Sequence, residues 1–279
     1  MEACTRPRNA AGIIAVLVVS VAAQGQSKPA ETPKLDPVVD KILTRLEARQ
    51  VNDLRAKLRW ELTYVVEEDE ADIKFGEIWY KQEKPVAKFL VHFKEKIAGN
   101  RKRTLDEKHM FDGHWYVELQ ARTKMITRRE IRRPNAPGNP YKIGEGPFPL
   151  PFGQKKADIL REFEVTRVPR SKNDPPATDH LQLAPREGTR TGETYKVLDF
   201  WVANQGAHAG LPVKVRTAKK DGTGKVNSYI TIAFEEIQLN TGFSGSIFKI
   251  ETPRGYEEDV ERLDPIPPPP GAATGEPEN

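Results

Sequence analysis

The chain has 279 residues and a formal net charge of +4, with 44 basic and 40 acidic side chains interleaved along its length. Mixed signs at this density make a solvated surface and exclude the one-sided basic stripe of a nucleic-acid binder. A single cysteine, Cys4, excludes an internal disulfide, thiol catalysis and a cysteine metal site elsewhere in the chain.

Arg6 and Arg8 precede an uncharged apolar run from Ala10 to Ala23. That is the layout of a secretory signal peptide, and the run is short for a bilayer-spanning helix. Residues 1–23 are therefore expected to be cleaved, with Val21 and Ala23 supplying the small side chains before the cut. Cys4 would leave with them, and the mature protein would be exported. Residues 24–35 read as a polar, proline-containing linker and residues 36–262 as the folded domain. Residues 263–279, "LDPIPPPPGAATGEPEN", read as a proline-rich disordered tail.

The domain opens on an amphipathic helix. Asp36 can cap it, Pro37 suits its first turn, and Val39, Ile42, Leu43 and Leu46 recur at helical spacing. The period then changes to two. Leu54, Ala56, Leu58, Trp60, Leu62, Tyr64 and Val66 alternate with Arg55, Lys57, Arg59, Glu61 and Glu67, which predicts a long strand with one face in water.

More strands follow at short intervals: "IKFGEIWYK", with a bulge expected at Gly76; "KFLVHF"; two in "KHMFDGHWYVEL", joined at Asp112-Gly113; and "TKMITRREI". After an interruption and a short helix over 155–163 come "EFEVTRV", "DHLQLAP", "YKVLDFWVA", "LPVKVRTA", "VNSYITIAF" and "SIFKIETP". The predicted fold is mainly β: a curved, unclosed antiparallel barrel of about ten strands, with an N-terminal helix and a segment at mid-sequence that covers its apolar face.

That segment is the interruption, "EGPFPLPFG". Pro147, Pro149 and Pro151 interleave with Phe148, Leu150 and Phe152. Proline cannot donate to a ladder and breaks a helix, so this is neither a central strand nor a regular helix. It is also too apolar for an ordinary solvated loop. The four arginines Arg128, Arg129, Arg132 and Arg133 are expected on a solvated strand edge that discourages sheet-to-sheet pairing.

The order of these patterns is similar to that of a known family. "ILTRLEARQ" followed by "LRAKLRWEL", then "GEIWYKQEKPVAKFLVHF", "FDGHWYVEL", "HLQLAPR" and the ending "ITIAFEEIQLNTGFSGSIFKIETPRGYE" together resemble the LolA/LolB family of bacterial periplasmic lipoprotein carriers, from Asp36 to about Val260. The resemblance implies an unclosed barrel whose apolar concave face is lidded, and a periplasmic carrier with no enzymatic role, cofactor or nucleic-acid partner. Its ligand would be a lipoprotein or another acylated molecule, handed between inner- and outer-membrane transport partners by a monomeric protein. An envelope sensor on the same scaffold, signalling a lipid or lipoprotein to a membrane partner, is the alternative reading.

The resemblance and the alternation together nominate a site. The cavity candidates are Leu54, Leu58, Trp60, Leu62, Tyr64, Phe89, Val91, Trp115, Val117, Ile230, Ile232 and Phe234. Phe148, Leu150 and Phe152, with Ile42 and Leu46 of the helix, would form the lid. The family carries an arginine before the proline of the turn at Lys84-Pro85, so Lys84 is the latch candidate here, without the planar fork of arginine. The same apolar residues could equally form a filled core. The histidines, His92, His109, His114, His180 and His208, lack ligand spacing, and no metal or catalytic residue is expected.

Overall fold

The computed structural model describes residues 35–66, 71–84, 86–99, 101–134, 136 and 151–264. The expected signal peptide, the linker up to residue 34, most of the tail, and Phe148 and Leu150 lie outside them.

Helix α1 (Pro37–Ala48) starts as the sequence predicts. The Asp36 carboxylate accepts from the Val38 amide at 2.6 Å, Pro37 occupies the first turn, and Val39, Ile42, Leu43 and Leu46 are the buried stripe. Six strands then form a meander: β1 (Asp53–Tyr64), β2 (Ala71–Lys81), β3 (Lys88–Ala98), β4 (Arg101–Phe111), β5 (Trp115–Gln120) and β6 (Met125–Glu130). Helix α2 (Lys156–Glu162) leads into a second meander of β7 (Phe163–Val168), β8 (Thr178–Pro185), β9 (Tyr195–Ala203), β10 (Pro212–Lys220) and β11 (Val226–Leu239), with a short helix α3 (Arg190–Thr194) before β9. Strand β12 (Glu257–Glu261) ends the described chain.

All twelve strands belong to one sheet, ordered β12-β6-β5-β4-β3-β2-β1-β11-β10-β9-β8-β7. The two meanders are joined by β1 pairing with β11, with Leu58 opposite Phe234, Trp60 opposite Ile232 and Leu62 opposite Ile230. The terminal strands of the order, β12 and β7, do not pair with each other, so the curved sheet remains unclosed.

The expected irregularity at Gly76 is present, and its cause is close approach. The register shifts between Phe75 and Gly76, with Lys94 of β3 as the extra residue. A Cβ on Gly76 would lie 2.2 Å from the His92 carbonyl oxygen, a backbone atom. Gly76→Ala must push two central strands apart, at a cost of about 2 kcal/mol or more. A thermal melt lowered by several degrees is the expected result, and an unchanged melt would show that β3 yields freely here.

Both faces of the sheet carry apolar clusters, and different segments of the chain pack on each. The inner face carries two apolar clusters. One centres on Leu54, Leu58, Ile78, Phe89, Val91, Phe111, Ile232 and Phe234. The other joins α1 and Ile159 of α2 to Phe163, Leu181, Leu183, Leu198 and Phe200. The outer face of β2–β6 carries a third, in which Phe243, Phe248 and Ile250 pack on Trp79, Leu90, Met110, Val117 and Ile126.

Two expectations are overturned in the C-terminal segment. "SIFKIETP" is not a strand; it begins as a 3₁₀ turn at Gly245–Ile247 and then lies across the face of the sheet, which satisfies its apolar residues by packing rather than by pairing. The arginines at β6 do not border a free edge either. Strand β12 pairs with β6 in parallel, and Arg128 and Arg129 hold it through Glu258 and Glu261, while Arg133 donates to the Asp264 carbonyl. Arg132 is itself buried. Glu258, Glu261 and the backbone carbonyl of Asp264 are what the sequence reading lacked.

The C-terminal segment is fixed where it leaves β11. Asp53 is buried and its carboxylate accepts from the Thr241 amide at 2.7 Å, the Thr241 hydroxyl at 3.0 Å and the Gly242 amide at 2.9 Å. Asn240, at φ +55°, returns its side-chain oxygen to the Asn52 amide at 2.9 Å. Asparagine tolerates this left-handed conformation better than most residues.

Candidate functional site

Burial along β1 locates the site. Leu54, Ala56 and Leu58 are sealed, Trp60 and Leu62 are half-buried, and Tyr64 is 46% exposed. The inner face is therefore filled at one end of the strand and opens at the other.

The filled end gathers most of the predicted cavity. Leu54, Leu58, Phe89, Val91, Ile232 and Phe234 share one cluster with Phe152, and Trp60 and Ile230 border it. Phe152 lies on neither a helix nor a strand, yet only 4% of it is exposed. Its ring sits 5.0 Å from that of Phe234 and 5.6 Å from that of Tyr80, inside the range for aromatic pairing. Burial pushes the Tyr80 hydroxyl up to about 12, and it donates to Gln82 at 2.7 Å.

Other predicted residues are placed elsewhere. Trp115 and Val117 belong to the outer face beneath the C-terminal segment, because Val117 pairs with Met110 while Tyr116 pairs with the inward Phe111. They are not cavity residues. Ile42 and Leu46 pack on the second cluster, over β7–β10, and so do not meet Phe152. Lys84 is exposed and forms no ion pair or hydrogen bond among the described residues. The ion pairs of that turn belong to Glu83, which reaches Lys88 at 2.8 Å.

The open end holds residues the sequence reading passed over. Reading across the sheet, Trp60 faces Lys74, Lys74 faces Lys96, and Lys96 faces Arg103. These positions share the inward parity of Ile78 and Phe93. Three cations thus stand side by side on β2, β3 and β4. Lys74 is wedged 5.3 Å from the centroids of both Trp60 and Phe93, a cation–π arrangement, and donates to Glu107 at 2.7 and 2.9 Å. Lys96 pairs with Asp72 at 2.6 Å. Arg103 and Arg122 form no ion pair among the described residues.

Glu107 anchors a chain of hydrogen bonds. His109 Nε2 lies 2.7 Å from its carboxylate, and His109 Nδ1 lies 2.7 Å from the Tyr116 hydroxyl. A carboxylate only accepts, so Nε2 donates to it, while Nδ1 accepts from the Tyr116 hydroxyl in the neutral ring and donates to it in the protonated one. Burial alone would raise the Glu107 carboxyl; the hydrogen bonds from His109 and Lys74, with their charges, outweigh it and hold the group at about 2. Burial raises the Tyr116 hydroxyl. A cleft of about 590 Å³ opens here, lined by Lys74, Lys96, Arg103, Leu105, Glu107, Gln120 and Arg122. The missed signal was legible: Asp72 and Lys74 are charged residues at the inward parity of an otherwise apolar strand face.

Among the described residues, no group of three or more His, Cys, Asp and Glu side chains is placed to hold a metal ion, and no helix is long and apolar enough to cross a membrane.

No protein-family profile and no curated protein sequence matches the chain. Solved structures do. An uncharacterized conserved protein from Thermus thermophilus aligns at 11% identity and a TM-score of 0.44, over 81% of this chain and 99% of its own. A domain from Vibrio parahaemolyticus, provisionally named an outer membrane lipoprotein-sorting protein, aligns at 11% identity and a TM-score of 0.37, over 75% and 94%. A LolA superfamily protein from Nitrosomonas europaea aligns at 10% identity and a TM-score of 0.37, over 76% and 97%. These are likenesses of chain path.

Proposed function

We propose that this protein is a periplasmic, non-enzymatic carrier that sequesters the acyl chains of a lipoprotein or another lipid-like molecule on the inner face of its sheet. The observation that carries the reading is Phe152, a ring borne on irregular chain yet seated in the middle of the apolar face. A ring held by packing alone can leave, and an acyl chain gains about 0.8 kcal/mol per methylene buried in its place. Trp60, Leu62 and Tyr64 extend the same face toward solvent and supply an entry path. Periplasmic location follows from the expected signal peptide, and exchange with membrane partners from the need to load and release cargo.

The test is native mass spectrometry with lipid extraction on mature protein taken from its own periplasm. A co-purifying acylated species is the expected result. A clean protein that also ignores added lipopeptides and fluorescent fatty acids would mean that the inner face is a permanent core. The scaffold would then serve protein contacts, as in an envelope sensor.

A further inference from the structure

We infer that the open end of the inner face recognises the anionic headgroup, a phosphate or carboxylate, of an amphiphile whose chain lies along Trp60 toward Phe152. The inference rests on the carrier reading above and names the class of ligand that the same face takes.

Like charges directly opposite on neighbouring strands repel, yet Lys74, Lys96 and Arg103 occupy one inward row across three strands. Glu107 and Asp72 offset two of them. Arg103 remains without a carboxylate among the described residues, and Arg122 lines the same cleft. An oxyanion arriving there would relieve the repulsion, and the planar guanidinium fork matches both phosphate and carboxylate.

The side chains of Lys74 and Lys96 are only 20% and 14% exposed, so they are held against the sheet and do not sweep through solvent as rim lysines do. The cationic row also adjoins the uncovered apolar stretch: Trp60 is its first member, and Phe93 shares the Lys74 ammonium. A charged end and an apolar floor in direct contact suit an amphiphile better than a free anion or a neutral hydrocarbon.

The experiment compares dodecyl phosphate, dodecanoate, dodecylphosphocholine and inorganic phosphate by calorimetric titration of the mature protein at low salt. The two anionic amphiphiles should each bind about tenfold more tightly than the zwitterionic one, the expected yield of one charge-assisted hydrogen bond, and the ratio should shrink as salt rises. In Arg103→Glu the ratio should collapse toward one. In Lys102→Glu, the same charge change on the outer side of the same strand, it should persist. Equal binding of anionic and zwitterionic amphiphiles would overturn this inference and leave acyl-chain capture standing. Inorganic phosphate binding as tightly as dodecyl phosphate would also overturn it, by making the cleft a free-anion site. Failure of all three dodecyl compounds to bind would remove the carrier reading and this inference together.

Discussion

Phe152→Ala should melt at a lower temperature and yet capture acyl chains more tightly. The stability loss follows from burial. Deleting a sealed phenyl ring removes its transfer energy and leaves a cavity, together about 3–5 kcal/mol. Here the ring is 4% exposed and paired with Tyr80 and Phe234. In a domain of this size each kcal/mol lowers the melting temperature by roughly 2–4 °C, so a fall on the order of 10 °C is expected. The affinity gain follows from competition. A ligand that must first expel the ring binds more weakly by the energy of that expulsion. Removing the ring should therefore strengthen capture of a fluorescent fatty acid by at least about tenfold, since 1.4 kcal/mol suffices for that. Stability and affinity moving in opposite directions is the signature of a displaceable plug. A lower melt with unchanged affinity would make Phe152 an ordinary core residue.

Alternation along β1 made the inner face legible because that strand keeps its parity over twelve residues. Leu58, Trp60 and Leu62 meet Phe234, Ile232 and Ile230 across a separation of some 170 residues, as two inward-facing strands of one sheet must. Alternation is informative where one face of the sheet is wet, as antiparallel sheets often are. The outer face of β2–β6 is instead covered by Phe243, Phe248 and Ile250. With both faces apolar, the six-residue β5 gives no parity signal: Trp115, Tyr116 and Val117 are apolar or aromatic in succession, and only the pairing of Met110 with Val117 decides which way each points. The β12 strand was illegible for a related reason. "EEDVE" is exposed throughout and has no face to bury, so its position depends on the arginines of β6 rather than on any pattern of its own. The charged row was overlooked because inward charges look like noise in a hydrophobic pattern, when they are better read as a site.

Glu107→Leu should be among the most damaging single changes in the sheet, and Lys74→Met added to it should largely repair the damage. Glu107 takes hydrogen bonds from Lys74 and His109, and both its side chain and that of Lys74 are mostly buried, at 15% and 20% exposure. Leucine would leave an ammonium wedged between Trp60 and Phe93 without its carboxylate, and an imidazole N–H without its acceptor. Breaking a buried pair in this way costs about 3 kcal/mol or more, whereas replacing both members with apolar groups of similar size is often neutral or stabilising. The pH dependence gives an independent check. The Glu107 carboxyl titrates at about 2 in the folded protein against an ordinary 4.5, so its contribution is fully present above about pH 4.5 and is lost as pH falls toward 2. The wild type should lose this increment over that window, and the double variant should not. A double-mutant cycle of chemical denaturation midpoints, run at pH 7 and pH 3, measures both effects. If the double variant is stable but no longer prefers anionic amphiphiles, the pair is there for the ligand. If stability is not recovered, the pair belongs to the architecture of the sheet.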